Sequence, residues 1–393
     1  MRRPAKGLST RSVHGGESRK KPFSAVTNPI IQASSYVFKN TQELVDYCSG
    51  EVDREEYGRY GNPTISVAEQ KIADLEGGED ALIFSSGMNA FTSVLLAMLS
   101  SGGHVIILDE CYRRSRQFCT QFLPRYNIDV TFVKTGDYKN LTSSINDQTR
   151  LIISESPTNP FLNIIDLEKI SDIASNNRIK VLIDGTFATP YNQKPLDFGV
   201  DLVLHSATKY LGGHNDLLAG VIVGSAPLIG AIREFRDITG GISDPNSAYL
   251  LIRGLKTFAL RMEQHNTNGM AIAQFLDKHP RVRRVYYPGL KTHPNHKIAR
   301  GQMSGFGGVV SFEIEGDMKT TSRFVDELEV PYIAPSLGGV ESLVEQPAIM
   351  SYYEMDRDER LQLGIKDELV RYSTGIENAE DLILDLEQAL EKI

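Results

Sequence analysis

The stretch Asp201-Leu-Val-Leu-His-Ser-Ala-Thr-Lys-Tyr-Leu-Gly-Gly-His214 organises the reading of the whole chain. Its first four residues have the apolar character of a short buried strand, and turn residues follow at once. Ser206 and Thr208 precede Lys209, where their hydroxyls can hold a phosphate, and Gly212 and Gly213 let backbone come close to a ligand. A lysine after a strand is ordinarily a solvated surface residue. These flanks suit a ligand better than open water. In a partly desolvated pocket a lysine amine loses basicity and can form a Schiff base with an aldehyde. The stretch therefore points to a pyridoxal 5'-phosphate lysine at Lys209.

Outward from it, short apolar runs bounded by turn residues recur at Ala81–Phe84, Val105–Asp109, Val130–Val133, Leu151–Ser154, Val181–Asp184, Asp201–Leu204 and Gly220–Val223. Helical patterns at Met88–Leu99, Arg114–Leu123 and Leu167–Ser175 separate several of them. Such alternation reads as an α/β domain whose mostly parallel, seven-stranded sheet is covered on both faces. Ligands of such sheets lie at the carboxyl ends of the strands. After Gly240-Gly241 the pattern turns helical, through Ala248–Phe258 and Leu260–His279. Strand candidates then follow at Val282–Tyr287, Gly308–Ile314, Tyr332–Ala334 and Val370–Ser373, before a closing helix over Ala379–Leu390. That order predicts a smaller C-terminal α+β domain. The expected divisions are an N-terminal arm over 1–60, a large domain over 61–255 and a C-terminal domain over 256–393.

Composition narrows the function classes. Hydrophobic content of 41% and charged content of 23% are those of a globular protein, and a net charge of −8 disfavours nucleic acid as a partner. Three cysteines, Cys48, Cys111 and Cys119, are too few for a disulfide framework and suggest a reducing compartment. No apolar run approaches the roughly 20 residues of a membrane span. The first 21 residues hold seven Lys/Arg against one acid, Glu17. That bias fits either the remnant of a transit segment or an arm reaching a neighbouring subunit. A cytoplasmic location is expected, with the plastid stroma as the alternative.

Several polar residues stand just after the strands. Ser85-Ser-Gly-Met-Asn89 joins a strand to a helix, and amides at a helix N-terminus bind phosphate, with Gly87 permitting close approach. A serine N-cap explains the same letters. Asp184 ends a strand, where a carboxylate can pair with a protonated pyridine nitrogen or simply cap the next turn. In Cys111-Tyr-Arg-Arg-Ser-Arg116, Tyr112 can stack on a planar group while Arg113, Arg114 and Arg116 can recognise an anion or face solvent. Arg371, within a strand pattern, can take a substrate carboxylate bidentately. His293-Pro-Asn-His296 has metal-like letters without a ligand cluster, so a loop is expected and no metal. His205 is expected to be packed or hydrogen-bonded.

Taken together, Ser206-Ala-Thr-Lys-Tyr210, Ser85-Ser-Gly-Met88, Tyr57-Gly-Arg-Tyr-Gly-Asn-Pro63, Glu155-Ser-Pro-Thr-Asn-Pro160 and Ala334-Pro-Ser-Leu-Gly-Gly339 resemble the Cys/Met-metabolism pyridoxal phosphate enzymes of fold type I. Within that family Asp109-Glu-Cys-Tyr-Arg-Arg114, Ile183-Asp-Gly-Thr-Phe-Ala-Thr-Pro190, Tyr286-Tyr-Pro-Gly-Leu290 and Gln346-Pro-Ala-Ile-Met-Ser-Tyr352 are similar to the plant-type cystathionine γ-synthases.

The resemblance implies a role for each matching position. Lys209 is the Schiff-base lysine, and Asp184 pairs with the pyridinium nitrogen. Gly87, Met88, Ser206 and Thr208 hold the phosphate, with Tyr57 and Arg59 arriving from a neighbouring subunit. Tyr112 stacks on the ring and assists proton transfer. Asn159, Ser336 and Arg371 lie around the cofactor oxygen and the substrate carboxylate, and Glu341 falls where reaction types differ. A shared active site implies a homo-oligomer, a tetramer built as a dimer of dimers. The implied reaction is γ-replacement of an activated homoserine by cysteine, giving cystathionine. Cystathionine γ-lyase or O-acylhomoserine sulfhydrylase chemistry on the same scaffold is the alternative. Many lyase and sulfhydrylase relatives carry small residues after the tyrosine, and methionine γ-lyases a cysteine two residues after it. Arg113 and Arg114 here point instead to an anionic group on the substrate.

Overall fold

A computed structural model describes residues 7–393. Seven strands form the larger sheet: β1 (Asp80–Phe84), β2 (His104–Leu108), β3 (Asp129–Val133), β4 (Thr149–Glu155), β5 (Lys180–Asp184), β6 (Leu202–Ser206) and β7 (Gly220–Gly224). Their order across the sheet is β1-β7-β6-β5-β4-β2-β3, with every neighbour pair parallel except those made by β7. Side chains alternate along each strand. Ile107, Ile153, Leu182 and Leu204 enter one apolar cluster with Phe91, Val94 and Ile232, while Ile106, Ile152, Ile183 and Val203 enter another with Leu141, Ile170 and Ala174. The period of two thus buries both faces under helices, as a parallel sheet requires.

The smaller sheet comprises β8 (Val282–Tyr286), β9 (Val309–Ile314), β10 (Tyr332–Ile333), β11 (Leu343–Glu345) and β12 (Leu369–Ser373), in the order β10-β11-β12-β9-β8. The sequence expectation did not include β11, which is three residues long and carries no periodic signal of its own. The helix Ala226–Thr239 also lies beyond that expectation, although Pro227 in its first turn and the left-handed Gly240 after its end are ordinary start and stop signals. Helices Pro245–Leu255 and Phe258–Leu276 lead from the first sheet to the second. One apolar core runs through both parts, joining Ile72 and Val221 to Met262, Phe312 and Leu386.

Two close approaches set the edge where the polar loops gather. A Cβ on Gly220, at the start of β7, would lie 2.2 Å from the Ser86 carbonyl oxygen. A Cβ on Gly87 would lie 3.1 Å from Cβ of Ser206. Glycine at both positions lets the helix Gly87–Met98 begin directly over the end of β6.

Candidate active site

The loops after β1, β2, β4, β5 and β6 leave the same edge of the sheet, and with β11, β12 and the 335–337 and 350–352 segments they line a cavity of about 440 Å³. That size is ordinary for a small-ligand site. Gly87, Met88, Tyr112, Asn159, Asp184, Ser206, Thr208, Lys209, Ser336 and Arg371 all face it, so ten of the residues singled out in sequence converge on one space.

Lys209 sits just past β6, and its Nζ donates to the Ser336 hydroxyl at 2.5 Å. Burial, and then the Arg371 cation, pull the amine down to about 8 from an ordinary 10.5. Ser336 reaches it from a backbone with φ of 107°, in the region that costs a non-glycine residue on the order of 1–3 kcal/mol. The same residue offers its carbonyl to Arg371 Nη2 at 3.0 Å. Arg371 Nη1 donates to Asn159 Oδ1 at 3.2 Å and pairs with Glu345 at 3.1 Å, both ions being almost wholly buried. The guanidinium is therefore fixed on three sides. Among the described residues its Nε has no hydrogen-bond partner.

Asp184 closes β5. Its Oδ1 accepts from the Thr186 amide at 3.0 Å and the Thr186 hydroxyl at 2.5 Å, so it makes the expected turn and still faces the cavity. Burial raises its carboxyl above the usual range, against the lowering effect of these hydrogen bonds. Thr186 Oγ1 in turn accepts from the Ser206 amide at 2.8 Å, tying β5 to β6. At the other end, Ser86 caps the helix by accepting from the Asn89 amide at 3.0 Å. The amides of Gly87 and Met88 fall in the first turn, where no acceptor exists within the helix. The serine N-cap expected of the Ser85–Asn89 stretch is therefore present, and it leaves these two amides without a helix acceptor. An amine for an aldehyde, a carboxyl for a ring nitrogen, and a helix N-terminus with two hydroxyls for a phosphate form a donor set that fits pyridoxal phosphate.

Other expected residues lie apart from this cavity. Arg113 lines it, but Arg114 turns away, donating to Gln117 Oε1 at 2.6 Å. Successive side chains on a helix diverge by about 100°, and the helix begins at Arg113. Both arginines approach Glu354, at 3.8 and 3.9 Å. Arg116 lies over the Phe132 ring instead. Glu341 accepts from Asn215 Nδ2 at 2.8 Å, beside an adjoining hollow lined by Thr208, Leu218, Pro335 and Ser336. Tyr57 and Arg59 lie around a separate hollow with Gln32, Asn62 and Asp244, and Arg59 also donates to the Asp237 carbonyl. His205 is buried against Glu76 at 2.8 Å, and His293 is buried too; among the described residues no cluster could hold a metal ion.

Sequence reasoning gave no separate role to Glu155, Thr186 or Glu345. Glu155 and Glu345 each end a short apolar run as Asp184 does, which is the signal that could have found them.

A model of the Cys/Met metabolism PLP-dependent enzymes matches residues 9–391. The chain belongs to that family. Among curated relatives, chloroplastic cystathionine gamma-synthase 1 of Arabidopsis thaliana is 52% identical over 97% of this chain and 68% of its own length. The corresponding Nicotiana tabacum protein is 50% identical, over 97% of this chain and 71% of its own. An L-methionine gamma-lyase of Fusobacterium nucleatum subsp. nucleatum is 44% identical over 98% of both. The crystal structure of metB from Corynebacterium glutamicum superposes with a TM-score of 0.93 at 37% identity, covering 98% of each chain. This Cys/Met-metabolism enzyme is therefore a pyridoxal phosphate-dependent protein of fold type I. Among its described residues no helix is long and apolar enough to cross a membrane.

Proposed function

We propose that this enzyme makes cystathionine by γ-replacement, joining cysteine to a homoserine carrying an anionic leaving group. The observation that carries this reading is the joint presence of Lys209, Arg371 and Arg113 around one cavity. They supply a movable proton, a carboxylate anchor and a cation for the leaving group. The identity to plant cystathionine gamma-synthases supports the same reaction.

When bound, pyridoxal phosphate supplies the electron sink for the pair left when a proton leaves the substrate carbon. Asp184 holds a proton at the ring nitrogen, and Thr186 fixes the direction of its carboxyl. The Gly87 and Met88 amides with Ser206 and Thr208 hold the phosphate. Arg371, aligned by Asn159, Glu345 and Ser336, takes the substrate carboxylate and so places the α-carbon near Lys209 Nζ. Lys209, with its basicity lowered to about 8, is neutral often enough near neutral pH to take the α-proton and move it onward. Tyr112 covers the ring face and assists that transfer. Arg113 draws the anionic leaving group off the γ-carbon. The cysteine thiolate then adds where it left.

Tyr57 and Arg59 serve a neighbouring subunit's phosphate in this reading, giving a tetramer with shared sites. The exposed apolar side chains Phe23, Val26 and Val37 support an arm that is covered in an assembly. A cytoplasmic location is proposed, with the plastid as the alternative that the chloroplastic relatives support.

Product analysis with O-phospho-, O-succinyl- and O-acetylhomoserine, each with cysteine, tests the reading. The phosphate ester is expected to have the highest kcat/KM, and Arg113→Ala is expected to erase that preference. A preference untouched by the substitution would place the leaving group elsewhere.

A further inference from the structure

Glu155 is a buried carboxyl that none of the steps above uses. It ends β4 directly beside Asp184, its register partner on β5, and it lines the cavity. One of its oxygens accepts the backbone N–H of Tyr112. Tyr112 opens the helix Arg113–Gln121, and its side chain makes no cap hydrogen bond there, leaving the ring free to lie over the cavity. A second cross-link runs alongside: Glu110 accepts from the Thr158 hydroxyl at 2.6 Å and from Asn163 Nδ2 at 2.9 Å. The loop after β2 is thus stitched to the loop after β4 at two points, and Glu155 is the inner one.

We infer that Glu155 is a positioning residue for Tyr112, fixing the amide from which the ring is hung over the cofactor face. The inference rests on the proposed stacking role of Tyr112. Two carboxylates side by side in a buried site do not both ionise readily. Burial, and then the charge of Asp184, hold the Glu155 carboxyl well above the ordinary range. Glu155 therefore serves as an uncharged acceptor, anchoring Tyr112 without adding a second negative charge beside the group that faces the ring nitrogen.

The test compares Glu155→Gln, which keeps a neutral acceptor, with Glu155→Met, which keeps length and loses the acceptor. Holoenzymes are read by turnover and by the visible circular dichroism of the bound cofactor, which senses the ring stacked on it. Glu155→Gln is expected to stay within about threefold of wild type in kcat with an unchanged dichroic band, and Glu155→Met to lose on the order of tenfold to a hundredfold with a weakened band. Tyr112→Ala is the control, and combining it with Glu155→Met should cost little beyond Tyr112→Ala alone. If Glu155→Met matches wild type while Tyr112→Ala is impaired, the positioning role is overturned and the stacking role stands. If Tyr112→Ala itself matches wild type, the stacking role fails first. A Glu155→Gln enzyme with a weakened band overturns the uncharged-acceptor role even where Glu155→Met does not fold.

Discussion

In the proposed reaction Lys209 is both base and cofactor anchor, and its surroundings make both roles measurable. Replacing it by alanine is expected to lower multiple-turnover activity by more than about a thousandfold, since among the described residues no other amine faces the cavity to move the proton. Borohydride reduction of the coloured holoenzyme should fix the cofactor on Lys209, as peptide mass analysis would show; a label elsewhere would reject the assignment. The buried amine also has a signature in the cofactor-free protein. Its folded pKa is about 8 against an ordinary 10.5, so between these values the unfolded chain binds the extra proton and stability rises with pH. Below about 8 the full penalty of burying the charge is present. Lys209→Met should therefore raise Tm relative to wild type more at pH 7 than at pH 10.5. An equal difference at both pH values would mean that the amine is not desolvated. That Lys209 would face a ligand-sized cavity was legible from its flanks alone. Glu155 and Glu345 were less so, because a carboxyl at a strand end carries no mark of the partner brought to it by another strand.

At the scale of elements, the seven strands of the large sheet stand where their apolar runs placed them, because buried parallel strands are marked by hydrophobicity and by the turns that end them. Leu343–Glu345 was not legible for the opposite reason: three residues give no period, and the strand exists through its pairing with β10 and β12. The antiparallel direction of β7 is likewise a property of the crossover, absent from Gly220–Gly224 itself. The junction of β7 with the helix at Gly87 is a tight point beside the site. Gly220→Ala would press a methyl to 2.2 Å from the Ser86 carbonyl oxygen, backbone that cannot step aside. The expected cost is about 1–3 kcal/mol in urea unfolding, together with weaker cofactor binding as the helix start is displaced. Unchanged stability and affinity would show that this junction is looser than the geometry implies.

For the whole molecule, one chain gathers Lys209, Asp184 and Arg371 but leaves Tyr57 and Arg59 around a different hollow. Sequence motifs named both groups, and the proposed assembly is what would bring them together. Refolded mixtures of inactive Lys209→Ala and Tyr57→Ala subunits should recover activity above either variant alone, since a hybrid pair holds one intact site. Mixtures no more active than their parents would argue that each chain works by itself. The same surroundings of Lys209 could serve synthesis or cleavage, so the decisive comparison is between directions on one preparation. The purified enzyme, given O-phosphohomoserine with cysteine and separately given cystathionine alone, should form cystathionine with a kcat/KM at least about tenfold above that for its breakdown. Breakdown that outpaces synthesis would contradict the γ-replacement reading, while leaving the cofactor site intact.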